Sequence, residues 1–84
     1  MYWDVTEVTP EDHLTLFVRF ADGICGKIYF LPSHLTGVFT PLKKADFFKE
    51  VFLNEGVVAW PGEIELAPDA MHDEIKQHGS WTLK

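Results

Sequence analysis

Leu14, Leu16, Val18 and Phe20 alternate with Thr15, Phe17 and Arg19, which is the two-residue period of a strand with one face buried. Asp22-Gly23 marks a turn, and Ile24 to Leu31 reads as the returning strand. The register follows from the side chains. A two-residue Asp-Gly loop would set Phe20 opposite Cys25 and Val18 opposite Lys27, mixing charge into the apolar face. A three-residue loop, Ala21-Asp22-Gly23, instead pairs Phe20 with Ile24, Val18 with Gly26, Leu16 with Ile28 and Leu14 with Phe30, so one face becomes wholly apolar. A one-residue slip exchanges the faces of a strand, so burial selects the three-residue loop, with Gly23 in the left-handed position. Phe17, Cys25, Lys27 and Tyr29 are thereby assigned to the opposite face. Upstream, Tyr2 to Val8 alternates more loosely and ends at Thr9-Pro10, a first strand closed by proline.

Pro32 ends the third strand, and Ser33 to Pro41 is a connection broken by Gly37 and Pro41. Lys43 to Phe52 has helical spacing, with Ala45, Phe48, Val51 and Phe52 on one stripe, although Val51-Phe52-Leu53 reads equally well as the start of a strand. After the turn at Asn54-Glu55-Gly56, Val57 to Trp60 is a buried strand and Glu63 to Leu66 a short continuation past Trp60-Pro61-Gly62. Pro68 suits the first position of a helix, Asp69 suits its dipole, Met71 and Ile75 fall on its inner face, and Gly79 stops it. The expected fold class is α+β: a small antiparallel sheet of about four to five short strands, opening with a β-meander, with two short helices packed on one face. One domain spans residues 1–84, its ordered core about residues 2–78, and residues 79–84 form a loose tail unless Trp81 docks.

Composition fits a chain that must pack densely. Of its 84 residues, 46% are hydrophobic, including three Trp, two Tyr and seven Phe, which is too apolar for a disordered segment. A chain this short buries only roughly 60–65% of its unfolded surface, so a second core is excluded. Seven basic and 13 acidic residues give a net charge of −6, and only Lys43-Lys44 are adjacent. That balance argues against direct nucleic-acid binding, whose affinity comes largely from phosphate contacts. A lone cysteine excludes an internal disulfide, and with no leader-like or membrane-length apolar run the expected location is the cytoplasm.

Taken together, Leu14-x-Leu16-x-Val18-x-Phe20-x-Asp22-Gly23, Phe39-x-Pro41-Leu42, Phe47-Phe48, Trp60-Pro61-Gly62 and Leu66-Ala67-Pro68-Asp69-Ala70 resemble the bacterial domain-of-unknown-function family 2442, over about Val5 to about Ile75. The resemblance implies a small α+β domain, found alone or joined to a helix-turn-helix domain. It also implies that some relatives sit beside small partner proteins in toxin–antitoxin-like arrangements. It brings no reaction and no catalytic residues. Two positions depart from the family pattern: Met71-His72 stands where Leu-Tyr is usual, and Ala67 where an N-capping Ser is common.

Candidate chemistry is sparse. Glu63 and Glu65, two apart on the expected strand, share a face, and Glu65 with His72 and Asp73 could approach a divalent cation. The spacing matches no ligand signature, and the plainer reading is an outward-facing strand and a helix start. The four histidines show no helical i, i+4 pair, His34 beside Ser33 lacks a nucleophile-elbow motif, and Cys25 near Lys27 has no histidine base in register. Trp60 reads as core rather than as a binding corner. No cofactor is expected.

The favoured expectation is a non-enzymatic binding module whose partner is another protein, basic in charge or a second copy of the chain. Its candidate contact residues are Phe17, Lys27 and Tyr29, on a face that Tyr2, Trp3 or Trp81 could equally cover, and the acidic edge of Glu63 and Glu65. The alternative is a regulatory domain binding a small molecule or divalent metal, and an enzyme ranks last.

Overall fold

A computed structural model, which describes residues 1–83, sets seven strands and two helices around one apolar core. The strands β1 (Val5–Pro10), β2 (Thr15–Phe20), β3 (Cys25–Phe30) and β7 (Ser80–Leu83) form a sheet in the order β1-β2-β3-β7. The strands β4 (Phe52–Asn54), β5 (Val57–Trp60) and β6 (Ile64–Glu65) form a second sheet in that order. Helix α1 (Ala45–Phe48) follows two 3-10 segments, Pro32–His34 and Gly37–Lys43, and α2 (Pro68–His78) precedes β7. The α+β class therefore stands, with its strands divided between two sheets. All strand pairs are antiparallel except β3 with β7.

The hairpin has the register that burial demanded. Leu16 faces Ile28 and Val18 faces Gly26, and Phe20 N–H donates to the Ile24 carbonyl at 2.8 Å across the loop. Gly23 sits at φ +90°, a region glycine enters without the steric penalty a Cβ brings. Leu16, Val18, Phe20, Ile28 and Phe30 are buried, and opposite them lie Val58, Trp60, Ile64 and Leu66 from the second sheet. Phe30, Phe48 and Trp60 pack ring against ring with centroids 5.5–5.9 Å apart. The buried Trp60 indole N–H donates to the Phe48 carbonyl at 2.9 Å, so the largest core side chain carries no unpaired polar group. A bond from Val5 N–H to the Gly56 carbonyl, 2.9 Å, ties the two sheets at one corner.

Two expected elements differ. The helix expected over Lys43–Phe52 is a single turn, Ala45–Phe48, and the chain re-extends so that Phe52, Leu53 and Asn54 pair with Ala59, Val58 and Val57. β-Branched Val51 and the aromatic Phe52 gain more from the ladder than from another helical turn. The tail expected to be loose is instead a strand. Gly79, at φ +79°, caps α2 with its N–H on the Ile75 carbonyl (2.7 Å), and the chain turns to run parallel to β3. Trp81 and Leu83 alternate inward, opposite Ile28 and Phe30, and the docking of Trp81 offsets the entropy of ordering a terminus. Lys84 lies outside the described residues. No helix among the described residues is long and apolar enough to cross a membrane.

Helix α2 begins at Pro68 with no side-chain cap from Ala67, as that alanine implies, and buries Met71, His72 and Ile75. Its C-terminus crosses the four-stranded sheet over Gly26, where a Cβ would come within 2.5 Å of the Gly79 carbonyl oxygen and 2.7 Å of Ile75 Cγ2. Backbone lies against backbone at this point, and glycine is the residue that leaves the room.

Candidate functional site

The outward residues of the four-stranded sheet form a continuous face. Alternation along β2 and β3 turns Thr15, Phe17 and Arg19, with Cys25, Lys27 and Tyr29, away from the core, and the ladder places Phe17 beside Thr9 on one side and Lys27 on the other. Tyr29 is 39% exposed and Phe17 half-buried. Tyr2 and Trp3, which could have covered this face, pack near His72 instead, and Trp81 is turned inward. The cations on the face are neutralised within the chain. Arg19 pairs with Glu7 and lies 5.5 Å from the Phe17 ring centre, and Lys27 Nζ lies 3.0 Å from Glu11. The hydrogen bond and charge of Glu11 raise the Lys27 pKa above its ordinary value.

Glu63 and Glu65 lie elsewhere, on the outer side of the three-stranded sheet. Glu65 is in β6, whereas Glu63 is not on the strand as expected. It closes the Pro61-Gly62-Glu63 loop at φ +63°, a left-handed conformation uncommon for a residue with a side chain. Both nonetheless line one shallow concavity with Phe52 and Ala59. The five candidate contact residues thus lie on the outer faces of two different sheets.

His72 is the buried polar residue of the core, 3% exposed. Its Nε2–H donates to Asp22 Oδ2 at 2.7 Å, and its ring meets Phe20 and Tyr2 edge to face at 4.9 and 5.0 Å. Asp22 Oδ1 also accepts from Ile24 N–H at 3.0 Å, so one carboxylate shapes the hairpin turn and latches it to α2. The cation-ligand trio of Glu65, His72 and Asp73 is not assembled: the His72 nitrogen is turned to Asp22, and no group of three or more His, Cys, Asp or Glu among the described residues is gathered to hold a metal. No hydroxyl or thiol is hydrogen-bonded to His72 among the described residues. Cys25 is a free, exposed thiol on the open face, and His13 hydrogen-bonds the Leu42 carbonyl at 3.3 Å. An apolar cleft of about 170 Å³ lies between Phe30, Leu35, Phe39, Leu66 and Leu83, with His34 at its side.

The family described as "Protein of unknown function (DUF2442)" matches residues 5–77, most of the chain, including β1 to β6 and nearly all of α2. The chain belongs to that family. No curated protein and no solved structure matches it. In this DUF2442 domain the sequence reading placed Phe17, Cys25, Lys27 and Tyr29 on the outer face of the hairpin, as the register has them, but missed the Asp22–His72 latch. The partners are 50 residues apart, and each alone reads as something else, a turn residue and a candidate ligand.

The latch has a consequence in acid. The hydrogen bond from His72 is the largest influence holding the Asp22 pKa below its ordinary 3.8, ahead of the opposing effect of desolvation. A carboxyl group depressed on folding contributes stability above its unfolded pKa, and the contribution is lost as pH falls through the folded value. Stability of the native domain is therefore expected to fall more steeply than that of Asp22→Asn between about pH 5 and about pH 2. Denaturant melts at a series of pH values check this, and parallel curves for the two proteins would refute it.

Proposed function

We propose that the domain is a non-enzymatic protein-recognition module, and that its docking surface is the outer face of the four-stranded sheet, occupied by a second copy of the chain. The observation that carries this reading is the outward pair on β2 and β3, an exposed Tyr29 and a half-buried Phe17. An open aromatic sheet face is the kind of surface that association buries. The charges favour a second copy over an arbitrary partner. Two chains of charge −6 repel at long range, but here each cation already holds an anion of its own chain. The face can therefore meet its own twofold image without leaving a charge unpaired. A small-molecule role has the apolar cleft beside Phe39 in its favour, yet about 170 Å³ is smaller than the roughly 300–1,000 Å³ of most ligand pockets.

Sedimentation across a concentration series tests the reading. The native chain is expected to shift from monomer to dimer, and the double variant Phe17→Lys/Tyr29→Lys to remain monomeric with an unchanged circular dichroism spectrum. A native chain that stays monomeric at its solubility limit, or a variant that dimerises as well as the native chain, would remove the second copy as occupant.

A further inference from the structure

The outer face of the three-stranded sheet has the opposite electrostatic character, and it stands apart from the dimer face proposed above. Phe52 of β4, Ala59 of β5 and Glu65 of β6 lie side by side across the ladder and point away from the core. Ala59, itself buried at 2% exposure, separates the two larger side chains, and the concavity they border, about 510 Å³ and open to solvent, is completed by Asn54, Pro61 and Glu63. Phe52 is 44% exposed. Neither Glu63 nor Glu65 has a cation partner among the described residues, whereas Glu7 and Glu11 on the other sheet each hold one. Two uncompensated carboxylates thus share one concavity with an exposed aromatic ring.

We infer that this concavity docks an extended, arginine-bearing segment of a partner protein. Charge complementarity selects the occupant. A guanidinium group stacks on an aromatic face and presents a planar fork of donors to carboxylates, a combination that an ammonium group reproduces less well. The apolar stem of the arginine rests against Phe52, and its head reaches Glu63 and Glu65. The edge strand β6, two residues long and unpaired on its outer side within its sheet, leaves the Glu65 flank of the concavity open to such a segment. The loop geometry agrees with such a role. Glycine would occupy the Glu63 position without penalty, so the carboxylate is held there against the backbone preference.

The test uses the full chain and a short synthetic peptide of alternating arginine and threonine, with a glutamate-for-arginine peptide as control. Calorimetric titration at low salt is expected to show saturable binding of the arginine peptide alone, weakening as salt rises. Glu63→Gln/Glu65→Gln is expected to lose about tenfold in affinity, and Phe52→Ala about threefold to fivefold. Glu63→Gly is expected to bind more weakly while melting at a higher temperature, which separates loss of the site from loss of the fold. Amide shifts on titration should centre on Phe52, Ala59 and Glu65. Absence of saturable binding, equal binding after the double Glu→Gln change, or shifts centred on Asp69 and Asp73 of α2 would each overturn the inference. Because Phe17 and Tyr29 lie on the other sheet, Phe17→Lys/Tyr29→Lys should bind the peptide normally, so this proposal and the dimer can fail independently.

Discussion

Gly26→Ala is expected to cost about 3 kcal/mol or more of folding stability. The added methyl would stand 2.5 Å from the Gly79 carbonyl oxygen and 2.7 Å from Ile75 Cγ2, and the first of these is backbone that can move only if α2 lifts from the sheet. Lifting α2 withdraws Met71, His72 and Ile75 from the core and strains the junction into β7. Overpacking usually costs about 1–3 kcal/mol, and a clash with backbone belongs at or above the upper end. A domain this size has a total stability of about 4–12 kcal/mol, so the loss is a large share of the whole. Gly23→Ala supplies the contrast. Nothing lies within 4 Å of a Cβ there, and only the left-handed backbone at φ +90° opposes it, at about 1 kcal/mol. Urea melts of the two variants should rank them far apart; equal losses would show that close approach at Gly26 is not what holds α2 down.

The second large effect is expected at Trp60, which is 1% exposed and joins the two sheets through Phe30 and Phe48. Trp60→Ala removes those contacts and opens a cavity where both sheets meet, at about 3–5 kcal/mol. Trp60→Phe restores much of the volume but leaves the Phe48 carbonyl without its donor, and an unsatisfied buried acceptor costs about 1–3 kcal/mol. Guanidinium denaturation should place the phenylalanine variant between the native and alanine proteins. A Trp60→Ala loss under about 1 kcal/mol would mean that the core does not depend on this side chain.

The parts legible in the sequence were those governed by neighbours along the chain. The period of Leu14 to Phe20 set the face, the apolar mismatch of the shorter loop set the register, and Pro68 and Gly79 bounded α2, all as the structure has them. Where two local readings were balanced, at Val51-Phe52-Leu53, the tertiary partner decided, and β5 took Phe52 into a ladder. The parallel strand Ser80–Leu83 was hidden for a different reason. Four residues carry little propensity of their own, and their order comes from Trp81 and Leu83 meeting Ile28 and Phe30, more than 50 residues away.

The candidate surfaces divide along the same line. That Phe17 and Tyr29 face outward follows from strand alternation and could be anticipated, although a cover by Tyr2, Trp3 or Trp81 stood equally open. The separation of Glu63 and Glu65 from that pair could not. It depends on the strands dividing into two sheets, which no period of two or of 3.6 encodes. Gly26 was equally silent, since its neighbour is a helix end that follows it by half the chain.

The claim on which the rest turns is that recognition resides on the exposed side of β2 and β3. Backbone amide spectra recorded while the chain is concentrated examine it residue by residue. Shifts confined to Thr15, Phe17, Arg19, Cys25, Lys27 and Tyr29, growing together with one dissociation constant, are the predicted result. Concentration-dependent shifts that avoid this set, or a spectrum that does not change while sedimentation reports a dimer, would contradict it.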